Sequence, residues 1–237
     1  MANLQAISKE HYADKKWKLN PGYLFAAKDA VCPIVLQELP NAMANMPIAF
    51  MLSEGKYYLA AVQGLAPQTN LFVDANGDWL GKYIPASYRT YPFLLASAGE
   101  DGKNLVMCVD EDSGLVGGDE ADQPFFNEEG EFSEQMQDML KFLSEGYSGR
   151  LAAVRICAQL QEHNLFTPWN LQIQYEEGNH AIEGLYCIDE AAFNKLSDEV
   201  FIEFRKTGAL PVVYSQLLSM QKISNLADVA QARAKSV

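Results

Sequence analysis

The residues with the most chemical potential lie together between Asn70 and Phe93, NLFVDANGDWLGKYIPASYRTYPF. This segment holds the aromatic side chains Phe72, Trp79, Tyr83, Tyr88, Tyr91 and Phe93, two aspartates, Asp74 and Asp78, and a single arginine, Arg89. Aromatic faces offer stacking surface and tyrosines add a hydroxyl, while a guanidinium is a fixed fork for a carboxylate or phosphate. Pro85 and Pro92 restrict the backbone on either side of Arg89. Trp79, Tyr83, Tyr88, Arg89 and Tyr91 are therefore the candidate ligand-binding residues, a wall with one polar anchor. The competing reading packs Tyr83 and Tyr91 in the core and pairs Arg89 with a nearby acid.

No catalytic constellation accompanies this wall. His11, His163 and His180 have no sequence neighbour that would complete a metal pair or activate a nucleophile. The chain has no nucleophile elbow, no phosphate-binding loop and no dinucleotide fingerprint. No catalytic residue, metal ligand or cofactor is assigned on these grounds. Asp74-Ala75-Asn76-Gly77-Asp78 imitates the start of a calcium loop. Such a loop needs glycine at its sixth position and glutamate at its twelfth, where this chain has Trp79 and Pro85. Asn76-Gly77 reads instead as a tight hairpin turn. An enzyme acting on a sugar or an amino-acid derivative would draw its acid or base from Asp74, Asp78 or Asp110.

The elements that must position these residues follow from pattern. Tyr23–Ala26, Val31–Leu36, Pro47–Leu52 and Tyr57–Val62 read as strands, the last apolar nearly throughout and hence central. Leu71–Val73 and Trp79–Ile84 flank the Asn76-Gly77 turn. Tyr91–Ala96 and Leu105–Val109 form a hairpin around residues 99–102. Phe132, Met136, Met139, Leu140, Leu143 and Tyr147 recur at helical spacing, and Gly149 either interrupts that helix or lets it continue through Leu151–Gln161. Asn170–Tyr175 and Ile182–Ile188 make a second hairpin through Glu177-Gly178-Asn179. Asp189 and Ser197 cap helices, Gly208 ends one, and further helices run through Pro211–Leu218 and about Ile223–Ala234. Residues 1–20 form an irregular or extended arm anchored by Trp17.

Strands first and helices later predict an α+β fold, a mixed and mainly antiparallel sheet with a helical C-terminal half. A single domain spans 1–237, with 1–110 and 131–237 as its candidate lobes joined by an acidic loop. The formal net charge is −13, and 14 of the acidic residues against two basic ones fall between Glu100 and Glu145. The remainder is nearly neutral, so no basic face exists for nucleic acid or for an anionic membrane. The acidic stretch is either a solvated loop or a surface for a basic partner or a cation. No apolar run is long enough to insert in a bilayer, and the N-terminal residues lack a signal-peptide pattern, which predicts a cytoplasmic protein. Cys32, Cys108, Cys157 and Cys187 each sit among apolar neighbours at spacings that fit no metal or redox motif, and read as reduced, buried thiols. The helices at 197–207 and 210–220 are apolar on more than one side, which predicts either deep burial or a homodimer interface.

Several phrases carry a family resemblance. They are Trp17 with Pro21-Gly22-Tyr23-x-Phe25-Ala26, Pro47-Ile48-Ala49-Phe50, Asn70-Leu71-Phe72-Val73, Gly77-x-Trp79-x-Gly81-x-Tyr83-Ile84-Pro85-Ala86, Arg89-x-Tyr91-Pro92-Phe93, and Gly184-Leu185-Tyr186-x-Ile188-Asp189-Glu190. Together they resemble the bacterial SapC family over nearly the whole chain. The resemblance implies a bacterial accessory protein associated with a cell-surface layer or with nutrient uptake. It supplies no catalytic set. The expected activity is binding of a small ligand or a protein segment without catalysis.

Overall fold

The computed structural model describes residues 3–19, 22–98, 104–175 and 178–234. Strand β1 (Leu4–Ala6), helix α1 (Lys9–Tyr12) and strand β2 (Lys16–Trp17) open the chain. A 3-10 turn at Leu24–Ala26, strand β3 (Val31–Pro33), a 3-10 turn at Leu36–Glu38 and helix α2 (Leu39–Asn45) lead to the hairpin of β4 (Ile48–Ser53) and β5 (Lys56–Val62). Helix α3 (Ala86–Arg89), strands β6 (Phe93–Ala98) and β7 (Asn104–Asp110), a 3-10 turn at Glu111–Ser113 and strand β8 (Gln123–Pro124) precede the long helix α4 (Glu134–Glu162). Strands β9 (Phe166–Pro168), β10 (Leu171–Tyr175), β11 (Gly178–Ile182) and β12 (Leu185–Ile188) follow. Helices α5 (Glu190–Phe193), α6 (Asp198–Thr207), α7 (Ala209–Ser219) and α8 (Lys222–Ala234) close the fold. All pairings between these strands are antiparallel, so the architecture is α+β.

The chain divides into two compact units, each made of two segments. The first comprises residues 1–21 and 87–148, the second residues 22–86 and 149–237.

In the first unit the sheet order is β1-β7-β6. The β6–β7 hairpin pairs Phe93 with Val109 through to Ala98 with Asn104; its tip lies outside the described residues. The core gathers Tyr12, Trp17, Phe93, Met107, Val109, Phe125 and Met136, with Phe132, Met139, Leu140 and Leu143 packed against it. Those last residues are the helical stripe read from the sequence. Trp17 is an anchor as expected: it is buried, and its ring meets Phe93 edge-on at 4.9 Å. Its strand pairs with β8, and it also bridges to Val116. The acidic residues from Asp112 to Glu131 are exposed, but Leu115 and Phe125 among them are buried. Lys15–Glu111 at 3.0 Å and Lys18–Glu120 at 2.6 Å tie this stretch to the N-terminal arm.

In the second unit five strands run in the order β3-β5-β4-β12-β9. Successive residues of a strand face opposite sides, and both sides are covered. Ile48, Phe50, Leu59, Ala61 and Ile188 join one core with Leu160, Phe204, Val212 and Val213. Ala49, Val62 and Leu185 join another with Leu65, Leu71, Leu226 and Ala230. Burial on both faces explains why β5 reads as an unbroken apolar run, and it is an interior strand as predicted. The β10–β11 hairpin pairs Leu171 with Ile182 and Tyr175 with Gly178; Glu177 of its expected turn, like Pro21 of the Pro21-Gly22 turn, lies outside the described residues.

Two predicted strands do not form, and the alternatives at Gly149 are decided. Tyr23–Ala26 is not a strand: Tyr23 donates its N–H to Gly77 O at 2.7 Å, and Leu24–Ala26 is a 3-10 turn closed by Ala26 N to Tyr23 O. Trp79–Ile84 is not a strand either, having only the single bridge Val73–Trp79; the Tyr83 carbonyl, which a ladder would use, accepts from the Trp79 indole instead. Helix α4 runs unbroken through Gly146 and Gly149. All four cysteines are free and buried, and burial pushes the Cys157 thiol up to about 12. A thiol reagent should therefore label the native chain slowly and label four sites in denaturant. Fast native labelling of Cys157 would contradict its burial.

The pairing of β4 with β12 covers only Leu185–Met51 and Tyr186–Phe50. Beyond it the Gln216 side chain takes the place of a ladder rung. Its Oε1 accepts from Ile188 N at 3.0 Å and its Nε2 donates to Ile48 O at 3.3 Å. Ser219 Oγ accepts from Ile48 N at 2.9 Å and donates to Gln216 O at 2.7 Å. Gln216 is wholly buried. Gln216→Leu keeps the bulk but strands one buried N–H and one buried C=O. It should cost about 2–4 kcal/mol in a urea melt, and a loss under 0.5 kcal/mol would show that these bonds are dispensable.

Candidate functional site

The aromatic block begins at the Asp74 hairpin. Asp74 Oδ1 accepts from Asn76 N at 2.9 Å and Asp78 N at 2.8 Å, so this carboxylate shapes a turn. Gly77 has φ 89°, and a Cβ there would fall 2.8 Å from Leu24 Cγ. Only glycine allows both the turn and this close approach. The hairpin is thereby seated on the Tyr23–Ala26 turn, and the rings come together. Trp79 stacks on Phe72 with centroids 5.4 Å apart and meets Tyr23 edge-on at 5.6 Å. Its Nε1 donates to Tyr83 O at 2.9 Å. Leu24 and Leu80, on the two seated loops, are 60% and 58% exposed.

Tyr83 points its hydroxyl inward. Its Oη donates to Glu38 Oε1 at 2.8 Å, and Ala86 N donates to the same oxygen at 2.6 Å. Val35 N donates to Glu38 Oε2 at 3.0 Å. Glu38 is buried, and three donors meet the requirement of a carboxylate removed from water. Sequence reading missed Glu38, whose only local sign was its place before Leu39-Pro40 at the start of a helix. Asn70 supports the same region: its Nδ2 donates to Ala26 O at 3.0 Å and its Oδ1 accepts from Phe72 N at 2.9 Å.

The other candidate residues belong to the first unit. Tyr88 is buried. Arg89 is exposed, and its guanidinium lies over the Phe142 ring, 4.9 Å from the centroid. Tyr91 is half-buried; burial, then the charge of Asp110, raises its phenol pKa. Asp110 Oδ1 accepts from Asn3 N at 3.0 Å and Asp112 N at 3.2 Å, again a backbone-shaping role. The five predicted residues thus fall into two groups, Trp79 with Tyr83 in one unit and Tyr88, Arg89 and Tyr91 in the other.

The first unit also holds a recess of about 320 Å³ lined by Gln5, Ala6, Ser8, His11, Tyr12, Lys15 and Glu111. Tyr12 Oη and Lys15 Nζ both donate to Glu111 Oε1, at 2.8 and 3.0 Å. The Lys15 ammonium lies 4.6 Å from the Tyr12 ring centroid, and Ser8 Oγ hydrogen-bonds His11 Nδ1 at 3.0 Å. The irregular or extended arm expected from the sequence contains strands β1 and β2 and also helix α1, and residues 8, 11, 12 and 15 carry a one-face helical spacing that signals this cluster. Among the described residues no group of three histidine, cysteine or carboxylate side chains could hold a metal ion. No helix of the described residues is long and apolar enough to cross a membrane.

Hydrogen bonds from Lys15 and Tyr12 hold the Glu111 carboxyl below its usual range, while burial and Glu111 raise the Tyr12 phenol. A carboxyl depressed in the folded state contributes stability above its unfolded pKa and loses it as pH falls through the folded value. Glu111→Gln should therefore be destabilising at pH 7 by about 1 kcal/mol or less, as expected of a largely solvated pair. The gap to wild type should close as melts are taken from pH 5 down to pH 3. A gap that is constant over that range would assign the loss to packing instead of charge.

The family model for SapC matches residues 7–226, nearly the whole chain. No curated protein and no solved structure matches it.

Proposed function

We propose, for a chain that belongs to the SapC family, the role of a bacterial cytoplasmic accessory protein of a surface-layer or nutrient-uptake system. It binds a small ligand or a protein segment without catalysis, and it works as a homodimer. The observation that carries the binding role is the fixed Tyr23–Trp79–Phe72 ring cluster beside two leucines left more than half exposed. Aromatic side chains are the commonest anchors of recognition, and Leu24 and Leu80 extend the apolar surface beside the rings. The indole N–H and the Tyr83 hydroxyl both have internal acceptors. The platform therefore offers faces to a partner and asks for an apolar or planar group. Arg89 offers a separate anchor for a carboxylate on the first unit. Of the three carboxylates an enzyme would use, Asp74 and Asp110 accept from backbone amides and Asp78 is exposed at the hairpin turn; the first two are engaged in shaping backbone, which favours binding over acid–base chemistry.

A photo-reactive amino acid placed at Leu80 tests this in the native bacterial cell. It should yield one discrete adduct that is lost when Leu24→Asp is added. The same probe at exposed Glu183 should not yield that adduct. An adduct pattern shared by both positions, or none at Leu80, would defeat the reading.

A further inference from the structure

Helix α6 reads DEVFIEFRKT. It turns Phe204 into the core and leaves Ile202 46% and Phe201 38% exposed. Around Ile202, the positions three and four residues away are Asp198, Glu199, Arg205 and Lys206. Residues at these spacings share one helix face. All four are exposed, and among the described residues none of them is in an ion pair. The face is therefore acid, apolar, base along its length. Such an order is its own complement when reversed.

We propose that α6 docks antiparallel on α6 of a second copy of this chain, across a twofold axis at Ile202. A twofold contact brings the same patch to itself with residues exchanged. With Ile202 on the axis, Asp198 meets Lys206 of the second copy and Glu199 meets its Arg205, and each pair occurs twice. The acids occupy the first turn and the bases the last, so the helix dipoles of an antiparallel pair also oppose favourably. Ten residues extend only about 15 Å, short of what a stable interface needs on its own. Helix α7 supplies the rest: Tyr214 is 44% and Leu218 59% exposed. Tyr214 and Phe201 flank the same Phe193 ring, each with centroids 5.8 Å from it. The apolar surface thus continues from one helix to the next. This assignment rests on the homodimer reading above and gives it a surface and a register.

Two variants test it. Asp198→Lys with Glu199→Lys makes the face wholly basic, and Arg205→Glu with Lys206→Glu makes it wholly acidic. All four positions are exposed, so circular dichroism should show both variants folded. At roughly 0.15 M salt, where repulsion between the acidic chains is screened beyond about 8 Å, light scattering of the wild type should give twice 26.3 kDa. Each variant alone should give the monomer mass, its dissociation constant raised about 30-fold or more. An equimolar mixture should recover the dimer, and native mass spectrometry should find one chain of each kind in it. Ile202→Asp, which sets two carboxylates on the axis, should also give monomers. A monomeric wild type would overturn the homodimer reading together with this surface. A dimeric wild type whose charge variants stay dimeric would overturn the surface and leave the homodimer reading standing. Folded variants whose mixture stays monomeric would overturn the antiparallel register.

Discussion

The second unit depends on one substitution of side chain for backbone. Strands β4 and β12 come from opposite ends of the sequence and share only a two-residue ladder. The Gln216 amide then carries the donor–acceptor pattern of a peptide between Ile188 and Ile48. Because both strands lie inside the sheet and both faces are covered, water cannot serve these groups. The buried glutamine thus extends the β4 side of β12, whose other side is held by a three-residue ladder to β9. The position of β12 decides that Leu185 enters one core and Ile188 the other. It also seats α7, whose Val212 and Val213 fill the core beside it.

The first unit solves a different problem. Its three-stranded sheet is covered by the first half of α4, and it must also hold a stretch rich in like charge. The Lys15–Glu111 pair is largely solvated and contributes at most about 1 kcal/mol, and the Lys18–Glu120 pair, whose carboxylate is fully in solvent, adds little. Full burial of a large apolar side chain contributes more, about 1.5–3 kcal/mol. Trp17, Leu115 and Phe125 are therefore the stronger fastenings. The acids stay in solvent because a few apolar residues between them carry the attachment. An uninterrupted acidic run would have had no such hold.

Much of this was legible from period and turn chemistry. The unbroken apolar run of β5, the Asn76-Gly77 turn, the helical stripe from Phe132 to Leu143 and the apolar surroundings of the cysteines are local signals with local causes. The failures share a different cause. Tyr23–Ala26 has strand-like composition, but its amide is claimed by Gly77, more than fifty residues away. Trp79–Ile84 carries β-forming residues, but its indole and phenol take partners that a strand would not supply. Glu38 and Gln216 were not singled out at all. Nothing beside them in sequence shows that a distant donor will make burial tolerable, and a buried polar group is decided by such long-range partners.

The aromatic block shows the same limit at the level of function. In sequence, Trp79, Tyr83, Tyr88, Arg89 and Tyr91 form one wall with one anchor. In the structure the first two belong to one compact unit and the rest to the other. Their polar groups also differ in surroundings. Tyr83 gives its hydroxyl to a buried carboxylate, whereas Arg89 is an exposed residue lying over the Phe142 ring. An exposed guanidinium discriminates weakly between anions, because surface ion pairs contribute little. A rigid ring cluster discriminates by shape and loses little entropy on contact, because Trp79 is already held by Phe72, Tyr23 and its own hydrogen bond. On the proposed reading, selectivity therefore belongs to the Trp79 platform and charge steering to Arg89. The chemistry to look for in a partner is an apolar or planar group first and an anion second.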